Sequence, residues 1–218
     1  MEKAVLIDES RRSYWQSYYA RQSHTALPLP SQFCVFVAGE LNGPFRVLDI
    51  GCGGGRDSML FASHGHSVVG VDGAASAIEA CNDLARRFGL EASFVCSTVD
   101  DETLAERLLR GASESLKTLV YARFFLHAIT DDEERLFLEL ATKVTRPNDL
   151  LAVEFRTSRD VAQNKVTSAH YRRFIDPLQF LNRVLSHGFT AHYFVEGFGF
   201  AKYKEDDAHV ARFIFGRT

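Results

Sequence analysis

The 218-residue chain is long enough for one well-buried α/β domain and short for two. Its 46% hydrophobic and 24% charged content argues against wholesale disorder. A formal net charge of -3 argues against a general nucleic-acid binder, which carries a basic excess.

The opening residues, MEKAVLIDES, lack a basic segment followed by a long apolar core, so no signal peptide is expected. No apolar run approaches the roughly 20 residues of a membrane span. Cys34, Cys52, Cys81 and Cys96 form no CxxC pair and no metal spacing with histidine, so neither a metal site nor a disulfide framework is expected. The expectation is a soluble, cytoplasmic protein.

Near the N-terminus, Tyr14 and Tyr18, and Trp15 and Tyr19, repeat at the spacing of one helical face. PLPSQF breaks that helix, and Ser31 then reads as the N-cap of QFCVFVAGEL, which Asn42-Gly43-Pro44 ends. From there strands and helices alternate. RVLDI, SVVGVD, ASFVCST, LKTLVYAR and DLLAVEFR read as strands. Between them RDSMLFASHG, AASAIEACNDLARRFG, DDETLAERLLRG and DDEERLFLELATKVT read as helices. DPLQFLNRVLSHG follows as a helix capped by Asp176 with Pro177 at its first position. TAHYFVEG and HVARFIFG close the chain as an antiparallel hairpin, with FGFAKYKEDDA between them as an expected protruding loop. The fold class is therefore α/β: a seven-stranded, mostly parallel sheet with a C-terminal antiparallel hairpin and helices on both faces.

The loop after the first strand, GCGGGRDS, has no lysine after its glycines, so it is not a phosphate-binding P-loop. As a dinucleotide loop it is a poor match: Gly51, Gly53 and Arg56 give GxGxxR, although Asp72 supplies an acid about 20 positions on. VLDIGCGGG instead resembles the first motif of class I S-adenosylmethionine-dependent methyltransferases, through Asp49, Gly51, Gly53 and Gly55. The resemblance implies a Rossmann-like domain with S-adenosylmethionine as cofactor and S-adenosylhomocysteine as product. It implies that the loop, including Cys52, approaches the methionine part, and that Asp49 orders the loop or meets the ammonium group. Asp72 and Gly73, at the end of the second strand, then meet the ribose. Thr98 and Val99 read the adenine, with Asp100 as a substitute, and Arg56 reaches the cofactor carboxylate.

After the fourth strand, LVYARFFLHAI resembles the same family's fourth motif. The resemblance places His127 in the substrate cleft as general base or orienting group, against the alternative of packing among its aromatic neighbours, and Arg123 beside the cofactor. Glu154 and Arg156 alternate on the fifth strand and face one side. With His170, Tyr171 and Arg172, and with Tyr203 on the hairpin, Arg156 forms the candidate substrate-binding set, suited to an anionic or polyhydroxylated acceptor. Tyr14 and Trp15 are candidates to cover the cofactor. The expected organisation is a single methyltransferase domain over 1-218, with a helical cap at 1-43 and a Rossmann-like core carrying substrate loops at 44-218.

The leading reading is methyl transfer to a small polar acceptor, anionic or saccharide-linked, at oxygen. The N-terminal and hairpin aromatics resemble those of methyltransferases of bacterial surface-polysaccharide biosynthesis. The competing readings are an NAD(P)-dependent oxidoreductase and a non-catalytic cofactor-binding pseudoenzyme. No nucleic-acid partner is expected, and the oligomeric state stays open.

Overall fold

The computed structural model describes residues 11, 13–21, 26–162, 171–203 and 205–218. A short helix, α1 (residues 11 and 13–20), leads into α2 (Gln32–Glu40). There follow β1 (Phe45–Ile50), α3 (Arg56–Ser63), β2 (Ser67–Asp72), α4 (Ala75–Phe88), β3 (Ala92–Cys96), α5 (Leu104–Leu109) and β4 (Lys117–Arg123). Then come α6 (Asp131–Val144), β5 (Leu150–Arg156), α7 (Pro177–Ser186), β6 (Phe189–Tyr203) and β7 (Asp206–Arg217). The sheet has seven strands in the order β3-β2-β1-β4-β5-β7-β6. The first five pair in parallel, and β7 runs antiparallel to both β5 and β6.

Local chemistry explains where the elements stop. Ser31 accepts the backbone N–H of Cys34 and starts α2. Gly89, at φ 62°, ends α4 in the left-handed conformation. Thr130 and Glu133 form a reciprocal capping box at the start of α6, and Asp176 accepts two N–H groups at the start of α7. Central strands read as apolar runs because both faces are covered. On one face α5, α6 and α7 bury Leu104, Phe137, Leu138, Phe180 and Val184 against β4, β5 and β7. On the other, Phe33 of α2 and Phe61 of α3 pack around Tyr121, while α4 seals β2 and β3 through Ile78, Cys81 and Leu84.

One expectation fails at the hairpin. Residues 198–208 do not form a protruding loop: β6 continues to Tyr203 and β7 begins at Asp206, with Lys202 opposite Asp207. The loop-like glycines are absorbed in a break of register between Gly197 and Ala201. Gly199, at φ 80°, gives its N–H to the Asp207 carboxylate at 2.7 Å, and Ala201, Ala208 and Val210 pack under Phe124 and Phe200. The acids that look like a solvated loop are thus tied into the ladder.

Strand order reverses between β1 and β4, so the loops leaving these two neighbours diverge and open a crevice at their carboxyl ends. The glycine loop follows β1, and Phe124 to His127 follow β4. Among the described residues no helix is long and apolar enough to cross a membrane.

Candidate functional site

The loop after β1 is built from backbone geometry. Gly51, Gly53 and Gly55 have φ of 76°, 51° and 72°, a region open chiefly to glycine. The N–H groups of Gly51 and Cys52 both reach the Val71 carbonyl of β2, at 2.8 and 3.1 Å, which folds the loop back over the sheet. At Gly51 an added Cβ would lie 2.8 Å from Cγ of Phe125, and at Gly53 it would meet the Tyr19 phenol, with Cζ at 2.7 Å. The glycines therefore permit both the turn and the approach of two aromatic rings.

Two aspartates frame this loop in different ways. Asp49, 3% exposed, accepts the Ser58 hydroxyl at 2.5 Å, so it ties the end of β1 to α3. Burial pushes its carboxyl up to about 7; Asp57 and Asp72 add to this, while Ser58 and Arg123 oppose it. Asp72 accepts the Gly53 N–H at 2.9 Å through one oxygen and the Ala74 N–H at 2.8 Å through the other. Burial raises its carboxyl too, with both N–H groups pulling the other way. A third acid, Asp57, is structural: it accepts the backbone N–H and hydroxyl of Ser31 at 2.8 and 2.7 Å and the Tyr121 hydroxyl at 2.8 Å.

The remaining loop candidates divide. The Cys52 thiol packs into the cluster of Met59, Ile78 and Cys81 and donates to the Gly53 carbonyl at 3.8 Å. Arg56 keeps a buried Nε without a hydrogen-bond partner, 3.6 Å from Asp57. Gly73 lies against Thr98, whose methyl group would be 2.9 Å from an added Cβ, and Val99 beside it is buried. Asp100 is exposed at the same corner.

Helix α1 crosses above the loop. Arg11 binds Glu133 through two hydrogen bonds of 2.6 and 2.7 Å at the start of α6. The Ser76 hydroxyl of α4 donates to the Gln16 carbonyl at 3.1 Å. Tyr14 stacks on Tyr18 at 6.2 Å and Trp15 on Tyr19 at 5.9 Å, the pairing that their spacing predicts. Tyr19, which the sequence reading leaves out of the site, is the side chain that reaches the glycine loop. Burial, with Asp72 next, raises its phenol.

Across the crevice the chemistry is carried by side chains. His127 sits in a single 3-10 turn, Leu126–Ala128, and is 5% exposed. Its Nδ1 accepts the Arg156 N–H at 3.4 Å, and its ring meets that of Phe124 edge-on at 5.0 Å. Arg123 donates from Nε to Glu154 at 2.8 Å, and Arg212 donates from Nε to the other oxygen of Glu154 at 2.6 Å. Burial works against the Arg123 charge, but Glu154, Asp57 and Tyr121 together more than restore it. Arg156 is gripped by Asp160 at 2.6 Å and by Asp206 at 2.6 Å, which makes it a pin between β5 and the start of β7.

Arg172 lies beside Arg156, within the electrostatic reach of Asp206, Asp160 and Tyr14; burial lowers its pKa, and Arg156 adds to the effect. Tyr171 lies under the Arg11 guanidinium at 5.8 Å. Arg173 is taken by Glu134, Asp131 and the Leu126 carbonyl. Tyr203 is 55% exposed at the far end of the hairpin, paired opposite Asp206. His170 lies outside the described residues. The acids that hold these arginines, Glu154, Asp160 and Asp206, have no local motif; only the topology brings them together.

Comparison with known proteins bears on the same region. A family model described as a methyltransferase domain matches residues 47–148. The ubiquinone biosynthesis O-methyltransferase of Nitrobacter winogradskyi is 31% identical over 107 residues, which cover 49% of this chain and 37% of that protein. The chain thus spans little more than a third of that relative's length. A S-adenosylmethionine-dependent methyltransferase from Anabaena variabilis superposes with a TM-score of 0.73 at 14% identity, covering 96% of this chain and 94% of the other. The 1,6-didemethyltoxoflavin-N1-methyltransferase of Burkholderia thailandensis, solved with its substrate and S-adenosylhomocysteine, superposes with a TM-score of 0.63 at 18% identity, covering 100% and 86%. These two structures share the fold.

Proposed function

We propose that residues 47–148, which match a methyltransferase-domain family model, belong to a class I methyltransferase, and that the protein transfers a methyl group from S-adenosylmethionine to a small, polar, anionic acceptor, at oxygen. The observation that carries the reading is the division of the β1/β4 crevice: a glycine loop with a buried and a half-buried carboxylate on one side, a histidine among arginines on the other. The donor set fits this cofactor. Asp49 and Asp72 suit an ammonium and a pair of ribose hydroxyls, and the buried Nε of Arg56 suits a carboxylate. Gly51 and Gly53 bring Phe125 and Tyr19 against the loop as walls of the cofactor place, and Thr98 and Val99 flank the corner where the adenine would lie. When bound, the cofactor supplies an electrophilic methyl group.

The chain's own residues then position the acceptor and manage its proton. With Nδ1 accepting from Arg156, the neutral imidazole of His127 carries its proton on Nε2, a tautomer assigned from that hydrogen bond. In this form His127 donates to the acceptor and orients it. Taking a proton at Nε2 requires the other tautomer, at the expense of a long 3.4 Å contact, a loss of about 0.5–1.5 kcal/mol. Helix α1, clamped at Arg11 and Gln16, shields the crevice from water.

The anionic acceptor follows from charge. Around Phe124 and Arg156 stand the guanidinium groups of Arg123, Arg156, Arg172 and Arg212 and the carboxylates of Glu154, Asp160 and Asp206. Among the described residues the cluster carries one more positive than negative charge, and burial together with Arg156 lowers the Arg172 pKa. The Nitrobacter relative is named for oxygen and the Burkholderia one for nitrogen, so oxygen is part of the proposal. A cytoplasmic setting fits a chain with an exposed free thiol, Cys96.

The test is methyl transfer from methyl-labelled S-adenosylmethionine to matched acceptors: hydroxylated carboxylates and phosphates, their neutral esters, and the amine analogues. Transfer to the anionic hydroxyl compounds, with an acceptor KM raised in Arg172→Gln, supports the proposal. Preference for the neutral esters would overturn the anionic acceptor, and preference for the amines would overturn transfer to oxygen.

A further inference from the structure

Phe124, the residue that follows β4, adopts φ 56°, a region that bulky side chains rarely enter. Such a conformation persists only where the surroundings over-determine it. Here they do. The Phe124 N–H donates to the Glu154 carbonyl at 2.8 Å, which fixes the backbone, and Ala201, Ala208 and Val210 form an apolar floor beneath the ring. Glycine would meet the backbone demand without strain, so the position is explained by what its ring touches.

Three functional groups meet that ring. The Arg123 guanidinium lies 4.3 Å from its centroid and the Arg156 guanidinium 5.5 Å away. The His127 ring stands 5.0 Å off at 67°, edge-on. Arg156 has its own carboxylate grips, but Arg123 is set between Glu154 and the Phe124 face, and His127 between the Phe124 ring and the Arg156 N–H.

We propose that Phe124 is a positioning residue: its ring holds His127 in the orientation in which Nδ1 accepts the Arg156 N–H, the bond that sets its tautomer, and holds the plane of Arg123 at the mouth of the crevice. It acts on the reaction through His127, so its kinetic consequence rests on the methyl-transfer reading above. Phe124→Leu keeps apolar fill over the alanine floor and removes the π face, whereas Phe124→Tyr keeps the face.

The experiment combines steady-state kinetics with nitrogen NMR of histidine-labelled resting protein, which reads the His127 tautomer without substrate. In Phe124→Leu the expected result is a kcat lower by about tenfold or more, a cofactor KM within about twofold of the parent, and a changed His127 tautomer signal. Phe124→Tyr restores both readouts. Phe124→Met, also without a π face, takes the same test if the leucine variant does not fold. An unchanged His127 signal in the leucine or methionine variant, or a tyrosine variant as impaired as the leucine one, overturns the proposal. If the tautomer shifts and recovers as described but the parent transfers no methyl group, Phe124 still positions His127 and the reading of the reaction is what fails.

Discussion

The two sides of the crevice solve the same problem with different materials. On the β1/β2 side the crevice wall is built on main chain: three left-handed glycines, with two carboxylates held by N–H groups or a serine. On the β4/β5/β7 side it is long cations clamped by buried acids from distant parts of the chain. A main-chain cradle fits one ligand and tolerates little change. A clamped side-chain wall is rebuilt by exchanging residues on a fixed scaffold. The first therefore suits a shared cofactor and the second a particular acceptor.

The contrast is tested most severely at Arg156. If this arginine is a pin, Arg156→Leu leaves Asp160 and Asp206 buried without their cation, and denaturant unfolding should show a loss of about 3–5 kcal/mol. A variant of parental stability would return Arg156 to the role of a substrate ligand.

On the main-chain side, Asp72→Ala removes the acceptor for the Gly53 and Ala74 N–H groups and the group assigned to the ribose. Affinity for S-adenosylhomocysteine should fall by about 1.5–3 kcal/mol in calorimetry. Unchanged affinity would mean that the ribose lies elsewhere.

A smaller effect separates the two aspartates. Burial pushes the Asp49 carboxyl up to about 7 in the folded protein, against 3.8 for an ordinary aspartate. Between these values the folded state holds the extra proton, so Asp49 contributes stability at low pH that is lost as pH rises to about 7. The thermal midpoint of the parent should therefore decline with pH across this range relative to Asp49→Asn. A cationic ligand beside Asp49 favours the ionised form, so the parent's affinity for it should rise through the same window, with the variant lacking that rise. Parallel curves for parent and variant would make Asp49 a neutral strut.

How much of this was legible in the sequence follows the same division. Strands β1, β2, β4 and β5 are readable because burial on both faces leaves near-continuous apolar runs, and SVVGVD matches β2 from Ser67 to Asp72. The glycine loop is readable because its conformation restricts residue type. The hairpin between Phe198 and Ala208 is not readable as strand, since β6 is an exposed edge strand whose glycines and charges resemble those of a loop. In the site, Asp49, Asp72 and His127 could be placed from their distance to a strand end. Tyr19, Phe124 and the acids at Asp160 and Asp206 could not, because their roles depend on contacts made by the folded topology. Phe124 gives no sign in the sequence of its positive φ.

The central claim, that the glycine loop holds S-adenosylmethionine rather than a dinucleotide, is tested most directly by calorimetric titration of the protein with S-adenosylhomocysteine and then with NADH. Saturable binding of S-adenosylhomocysteine that Asp72→Ala weakens, with no response to NADH, is the predicted result. Tight binding of NADH with no heat from S-adenosylhomocysteine would contradict it.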